Sequence, residues 1–174
     1  MLLTTDRLLL REATLNDASF IYRLLNQESF KQNIADKHIK DLNDAVNYIN
    51  TAFLTPYRLN TFSPYIVCLK NSQKNFAQIG VCGLYKRPAL NYPDLGYAFL
   101  DEFTGYGFAT EAAKEFIQYS SNALKLKHLC ALTEPNNNPS INLLKKCGFK
   151  FKTQIKLNEE QGISNFYQLS FSQS

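Results

Sequence analysis

The stretch Leu95-Gly-Tyr-Ala-Phe-Leu-Asp-Glu-Phe-Thr-Gly-Tyr-Gly-Phe-Ala-Thr-Glu111 passes from an apolar run through a short glycine-containing turn into a segment with helical periodicity. Ala109, Ala112, Ala113, Phe116, Ile117 and Ser120 recur at the spacing of one buried helix face, so the turn leads into a supported helix. The first N–H groups of a helix have no partner within it, and with the helix dipole they favour an anion. Gly105 and Gly107 let backbone approach such a ligand closely, and Thr104, Gly105, Tyr106, Gly107, Phe108, Ala109 and Thr110 together form the candidate cradle. A glycine pair before a helix also reads as an ordinary chain reversal. The run lacks the Gly-Lys-Ser/Thr end of a P-loop and the third glycine of a dinucleotide fingerprint, which disfavours an ATPase or a nicotinamide enzyme.

A second segment repeats the pattern. Thr133-Glu-Pro-Asn-Asn-Asn-Pro-Ser-Ile-Asn-Leu-Leu-Lys-Lys-Cys-Gly-Phe149 follows an apolar run from Leu129 to Leu132. Asn138 reads as a helix N-cap, Pro139 as the first helical residue, Lys145 and Lys146 as the last turn and Gly148 as the C-cap, giving a helix of about ten residues. Ile141, Leu144 and Gly148 face the core, while Asn137 and Ser140 sit at the amino end beside the strand tip. Taken alone, Asn137 and Ser140 are explained as capping residues.

Together the two segments resemble the cofactor-binding half of the GNAT superfamily of acyl-coenzyme A N-acyltransferases. Thr104, Gly107 and Ala109 occupy the named positions of a pattern similar to its R/Q-x-x-G-x-G/A signature, and Asn137, Ser140, Gly148 and Phe149 those of its N-x-x-S…G-F block. The RimJ/RimL-like branch is the nearer match, through Thr5-Asp-Arg-Leu-Leu-Leu-Arg-Glu-Ala-Thr14 and the Ala-Thr-Glu-Ala run at 109 to 112; Asn33 to Ala45 also resembles part of one acetyltransferase subgroup. The resemblance covers essentially the whole chain. It departs at Thr104, where Arg or Gln is usual, and at Tyr106, where Gln or Lys is usual; this implies weaker charge complementarity to a pyrophosphate held mainly by backbone amides.

The resemblance implies a single domain over residues 1–174 of α/β class: a mixed, mostly antiparallel twisted sheet flanked by helices, with a splayed central strand pair that binds coenzyme A. Composition agrees with one core, since 45% of the 174 residues are hydrophobic. No run has the length of a membrane span, and the start is too short and too quickly charged for a secretory signal, so a cytoplasmic enzyme is expected. The four cysteines, Cys68, Cys82, Cys130 and Cys147, lie in apolar surroundings without a CxxC pair, which argues against a metal site and a disulfide framework. The formal charge of +4 has no arginine-lysine block, which disfavours nucleic acid as a partner but suits a coenzyme with several phosphates.

Elsewhere, Leu8 and Leu10 mark a first strand, Thr14 and Asp17 a capping box before a helix with Phe20, Ile21, Leu24 and Leu25, and Asp41 to Phe53 a second helix. Strands follow at about 64 to 70, 77 to 86, 94 to 100, 149 to 157 and 164 to 171, with surface loops at Tyr57 to Pro64 and Lys86 to Pro93.

An amine attacks a thioester only when neutral. A lysine side chain, with a pKa of about 10.4, carries a larger protonation penalty than an α-amine near about 8, whereas the leaving thiolate, near about 8.5, departs readily. A base therefore matters more than an acid. The two histidines, His38 and His128, lie outside both cofactor segments and read as surface or structural groups. The resemblance places a carboxylate near the acceptor amine. Asp94 is the first candidate base, through a water, and Glu159, nineteen residues after Ser140, the second, although Glu159-Glu160 also reads as a solvated hairpin. Ser140 is the candidate hydrogen-bond donor to the departing sulfur, because the tyrosine used four residues further on in other branches is Leu144 here. A backbone N–H near Phe99 or Leu100 would polarise the thioester oxygen. Glu111, in the first turn of the cofactor helix, would repel phosphate unless it points away or is hydrogen-bonded.

Function is thus expected to be an acetyl-coenzyme A-dependent N-acetyltransferase, acting by direct transfer on a small-molecule amine or a protein N-terminus, as monomer or homodimer. Tyr48, Tyr57, Phe166 and Tyr167 are offered as aromatic walls for the acceptor, with core packing as the alternative. A non-catalytic acyl-coenzyme A sensor or scaffold is the rival from another class, and a basic ribosome-associated protein a third.

Overall fold

The computed structural model describes residues 2–70, 76–157 and 162–171. Its eight strands are β1 (Leu2–Thr4), β2 (Leu8–Arg11), β3 (Pro64–Lys70), β4 (Phe76–Tyr85), β5 (Asp94–Phe99), β6 (His128–Thr133), β7 (Lys150–Lys156) and β8 (Ile163–Ser170). They form one sheet in the order β1-β2-β3-β4-β5-β6-β8-β7. Every neighbouring pair is antiparallel except β5 and β6.

Alternation along the strands divides the apolar residues between two layers. On one face Leu8, Leu10, Val67, Ile79, Leu84 and Leu95 pack against helices α5 (Phe108–Asn122) and α6 (Asn138–Lys146). On the other, Ile66, Cys68, Val81 and Leu100 pack against α1 (Ala18–Leu25) and α3 (Leu42–Ile49). α5 carries Phe108, Ala112, Ala113, Phe116 and Ser120 on its buried face, as its periodicity predicts.

Three features differ from expectation. The strand at Leu8 is the second arm of a hairpin, with Leu2↔Arg11 to Thr4↔Leu9 pairing it to β1; three residues, mostly exposed, are too short to declare a period. A short helix α2 (Glu28–Asn33) intervenes, and its one buried residue, Phe30, gives no periodic face. The second helix does not end near Phe53. A π-helical turn at Asn50–Leu54 leads into α4 (Thr55–Arg58), so Pro56 falls in a first turn, where its missing N–H costs little, and Tyr57 is helical.

One buried ion pair ties the α1 side to the sheet. Asp17, 1% exposed, receives both terminal nitrogens of the Arg11 guanidinium at 2.9 and 2.7 Å, the Thr14 amide at 2.7 Å, and the Gln78 amide from β4. Burial penalises the carboxylate charge, but these donors outweigh it and hold its pKa below the usual range. A depressed carboxylate pKa stabilises the fold above the unfolded pKa, near about 4, and that stability is lost as pH falls through the folded value. Asp17→Asn is therefore expected to cost about 3 kcal/mol at neutral pH in urea unfolding, and the difference from the parent protein to shrink below about pH 4.

Candidate active site

Strands β5 and β6 meet at a single parallel bridge, Asp94↔Cys130, with the Cys130 amide donating to the Pro93 carbonyl at 2.9 Å. Beyond it they part, while β5 stays paired to β4 as far as Gly80↔Phe99. Leu100 N–H donates to the Ile79 carbonyl at 2.9 Å, so even-numbered residues of β5 bond to β4 and the odd-numbered Tyr97 and Phe99 aim their N–H groups into the opening. Of the two backbone donors expected near the thioester, Leu100 N–H is thus already used, and Phe99 N–H is the one that faces the opening. Gln27, unnoticed in the sequence, braces this end of the strand: its side-chain amide donates to the Phe99 carbonyl at 3.3 Å and accepts from the Asp101 amide at 2.9 Å.

The opening leads to the amino end of α5. Gly105 and Gly107 have φ of 84° and 82°, the left-handed region that favours glycine, and no atom lies within 4 Å of a Cβ built on Gly105. With Gly107 as N-cap, the Phe108, Ala109 and Thr110 amides have no helical carbonyl to bond, and the Glu111 amide is the first that does, to Gly107 at 3.0 Å. A splayed strand edge followed by an unpaired helix end on two left-handed glycines fits an extended thioester with a pyrophosphate. Thr104 turns its hydroxyl to the Asp101 carbonyl at 2.8 Å, and the Tyr106 side chain is exposed.

Glu111 is held away from the cradle by partners about a hundred residues earlier in the chain. Thr5 Oγ1 donates to it, as do Arg7 N at 3.1 Å and Arg7 Nε at 2.7 Å, with Arg7 Nη2 at 2.6 Å. Its carboxyl pKa is pushed up by burial but more strongly down by these donors, for a net lowering. Arg7 also donates to the Tyr106 carbonyl at 3.1 Å and lies 4.5 Å from the Phe108 ring centre. It is a residue the sequence reading did not single out: it pairs with the acidic group in the first turn of α5 and bonds the glycine turn at the Tyr106 carbonyl. Its sequence signal was only the Thr5-x-Arg7 pattern in the amino-terminal segment.

Across the opening, α6 begins one residue earlier than expected. Asn137, not Asn138, is the N-cap: its side-chain oxygen accepts from Ser140 N at 3.1 Å, and Pro139 falls within the first turn. Tyr97, a second missed residue, places its hydroxyl 2.9 Å from Ser140 Oγ. Burial raises the phenol pKa well above its ordinary value, so it stays neutral. Leu144 is buried in the core.

Asp94 sits at the apex of the opening, 2% exposed, where Arg87 Nε donates to its Oδ2 at 2.6 Å. Its Oδ1 is buried without a hydrogen bond among the described residues. Burial raises the Asp94 pKa, and the Arg87 charge and hydrogen bond, with the nearby Leu132 amide, only partly offset this. The distance along β5 from Asp94 to Tyr97 is about 10 Å, so the carboxylate could reach an amine near the strand edge only through water. Tyr85, Asp94, Cys130 and Gln168 form one cross-strand row. On that face a cavity of about 310 Å³ is lined by Leu90, Tyr92, Ile155, Phe166 and Gln168 among others.

The remaining candidates separate. Glu159 lies outside the described residues. Phe166 lines the cavity just described, whereas Tyr167 packs into the core on the α5 side and Tyr57 Oη is bonded to Ala13 N and Pro64 O. Alternation along β8 removes Tyr167 from the acceptor side, and helical structure at 55–58 removes Tyr57. His38 is exposed beside Asp36, and His128 bonds to Ser170 at 3.0 Å against the Tyr92 ring.

Arg7→Ala should leave Glu111 unpaired beside the phosphates and weaken coenzyme A binding about tenfold in a calorimetric titration. The double variant Arg7→Ala/Glu111→Gln should recover part of that loss; no recovery would assign Arg7 a purely structural part.

Residues 7–150 match the family model described as an acetyltransferase (GNAT) domain. The chain is 30% identical over 152 residues to p20 of Bacillus licheniformis, named an uncharacterized N-acetyltransferase, covering 85% of this chain and 82% of that protein. Against the similarly named YoaA of Bacillus subtilis it is 26% identical over 149 residues, covering 86% and 82%. Among solved structures, a GNAT-family acetyltransferase from Bacillus anthracis superposes with a TM-score of 0.79 at 20% identity, covering 98% of each chain. RimL, the ribosomal L7/L12 α-N-protein acetyltransferase in complex with coenzyme A, superposes with a TM-score of 0.83 at 13% identity, again covering 98% of each. RimJ of Mycobacterium smegmatis gives 0.77 at 19%, covering 94% of this chain and 81% of that one. With most of its length matched by that model, and with the open strand pair and unpaired helix end in place, the chain belongs to the GNAT acetyltransferases and is an acetyl-coenzyme A-dependent enzyme.

Proposed function

We propose that the chain acetylates a primary amine by direct attack on acetyl-coenzyme A, with no covalent enzyme intermediate, and that the acceptor is a small-molecule amine or a protein N-terminus. The observation that carries this reading is the parting of β5 from β6 above the Asp94↔Cys130 bridge, which leaves Tyr97 and Phe99 N–H groups facing the space between the strands. Phe99 N–H would donate to the thioester oxygen as charge grows there, and Gln27 braces the next peptide along through the Phe99 carbonyl. The α5 amides of Phe108, Ala109 and Thr110 would hold the pyrophosphate, and the Asn137 cap fixes Ser140 on the far wall.

Ser140 is a poor acid but a competent hydrogen-bond donor. A neutral Tyr97 hydroxyl donating to Ser140 Oγ leaves the serine proton free to point at the departing sulfur. Tyr97 is then a positioning residue, acting through Ser140. Asp94 would take the amine proton through water, and Glu159 remains the second candidate. The mainly uncharged lining of the 310 Å³ cavity suits an acceptor whose amine is flanked by an apolar or amide group. RimL, as an α-N-protein acetyltransferase, supports a protein N-terminus by analogy of fold.

The direct test is release of free thiol from acetyl-coenzyme A on addition of a mixed amine panel. Amine-dependent release that disappears in Gly107→Asp, where a charge and bulk enter the cradle, is expected. Binding of acetyl-coenzyme A without release across the panel would favour the sensor reading. Tyr97→Phe and Ser140→Ala should each lower kcat about tenfold with coenzyme affinity nearly unchanged, and the double variant should fall little further, because the two act as one unit. Asp94→Asn should remove the carboxylate step from the acid side of the kcat/KM profile and leave the part set by protonation of the acceptor amine. For the parent protein that step should lie above the usual carboxylate range, because a raised pKa means the basic form is lost at higher pH as the solution is acidified.

A further inference from the structure

Beside Asp94, on the sheet face that carries the 310 Å³ cavity, hydrogen-bond donors collect without acceptors. Arg87 comes from the same loop as the cavity residues Leu90 and Tyr92, and it gives only its Nε to Asp94, at 2.6 Å. Its two terminal nitrogens make no hydrogen bond among the described residues, and the side chain is 38% exposed. Arg11 behaves differently, closing both terminal nitrogens on Asp17. The open fork of Arg87 is the part of a guanidinium whose geometry matches a carboxylate.

Three further donors arrive from separate elements. Tyr85 stands opposite Asp94 on β4, and its ring lies across Gly96, where a Cβ would meet Tyr85 Cε2 at 2.7 Å. Tyr48 is on α3, its ring edge-on to Phe53 with centres 6.1 Å apart. Lys37 belongs to the turn before α3. That turn is braced on both sides of it, by the Asp36 carboxylate accepting from the His38 amide at 2.7 Å and by buried Ile39, whose carbonyl accepts from Asn26 at 3.0 Å. The Tyr48 and Tyr85 hydroxyls and the Lys37 ammonium make no hydrogen bond or ion pair among the described residues. Burial lowers the Lys37 pKa and raises those of Tyr48 and Tyr85, and the Arg87 charge acts on all three, which gathers them around one guanidinium.

Two cations held near each other repel. Asp94 balances one of them, and among the described residues one positive charge is left over, with two neutral phenol donors beside it. One anion completes such a set. The adjoining cavity walls, Leu90, Ile155 and Phe166 among them, suit an uncharged side chain. We propose, deepening the acetyl-transfer reading and resting on it, that the acceptor is an amine that carries a carboxylate, of the α-amino-acid type with an uncharged side chain. Arg87 and Lys37 hold the carboxylate and are specificity-determining residues for the transfer.

Leucine is a suitable probe, with leucinamide as its counterpart lacking the carboxylate and phosphoethanolamine as a different anion. Calorimetric titration of the full chain saturated with coenzyme A reads binding apart from turnover. Leucine should bind at least about tenfold more tightly than leucinamide. Lys37→Met should reduce that preference several-fold with coenzyme A affinity unchanged. Asp94→Asn, which frees Arg87 from its counter-ion, should widen the preference, and the double variant Arg87→Gln/Asp94→Asn, which strands no buried charge, should abolish it. Equal binding of leucine and leucinamide, a preference unaltered in both Lys37→Met and the double variant, or tighter binding of phosphoethanolamine than of leucine would overturn the proposal. With acetyl-coenzyme A the same preference should appear in kcat/KM for thiol release. Preferential binding of leucine without release would support this site and overturn the transfer reading instead.

Discussion

The rest of the site depends on a single inter-strand contact. Asp94 and Cys130 make the only parallel bridge in the described sheet, and everything beyond it on β5 is paired on one side alone. A buried strand with unpaired N–H groups is costly unless something bonds to them. Here the strand edge is joined through the turn at Asp101–Phe103 to a helix end with the same property, so the molecule presents two sets of backbone donors, Tyr97 and Phe99 on β5 and Phe108 to Thr110 on α5. These sets are suited to an extended thioester and its phosphates because they read polar atoms along a chain and leave side-chain identity largely free.

In the proposed site this arrangement leaves the backbone donors in place despite departures at two signature positions. Thr104 and Tyr106 supply no charge, but the amides they frame are intact, and the charge balance is set from the amino-terminal hairpin by Arg7 and Thr5 acting on Glu111. On the opposite wall position 144 is a leucine, and a tyrosine at 97, on β5, reaches Ser140 with its hydroxyl. In both cases the side chain that completes the site comes from an element distant in sequence.

Local signals were therefore readable and distant ones were not. The α5 helix, the glycine turn and the strands from 64 onward follow from periodicity and punctuation that lie within a few residues of one another. Asn137 and Ser140 were named through their likeness to the N-x-x-S block, whereas the cap itself was read one residue late, at Asn138, because two successive asparagines offer the same local signal. Arg7, Tyr97 and Gln27 were missed because each works across about forty to a hundred residues, and nothing in their neighbourhood marks them as other than a surface arginine, a strand tyrosine and a turn glutamine. The π turn at Asn50–Leu54 and the short β1 escaped for a different reason: neither is long enough to have a period. For the aromatic side chains at 57 and 167 the core-packing alternative holds, and the sequence left the choice open because which face a residue points to depends on register, and register depends on the partner strand or helix.

The central claim concerns specific backbone N–H groups, so amide hydrogen exchange with and without saturating coenzyme A tests it most directly. The account predicts strong new protection of the Tyr97, Phe99, Phe108, Ala109 and Thr110 amides, with the Leu100 amide, already bonded to Ile79, changing little. Coenzyme A binding that leaves these amides exchanging as before, and protects a different surface, would contradict it.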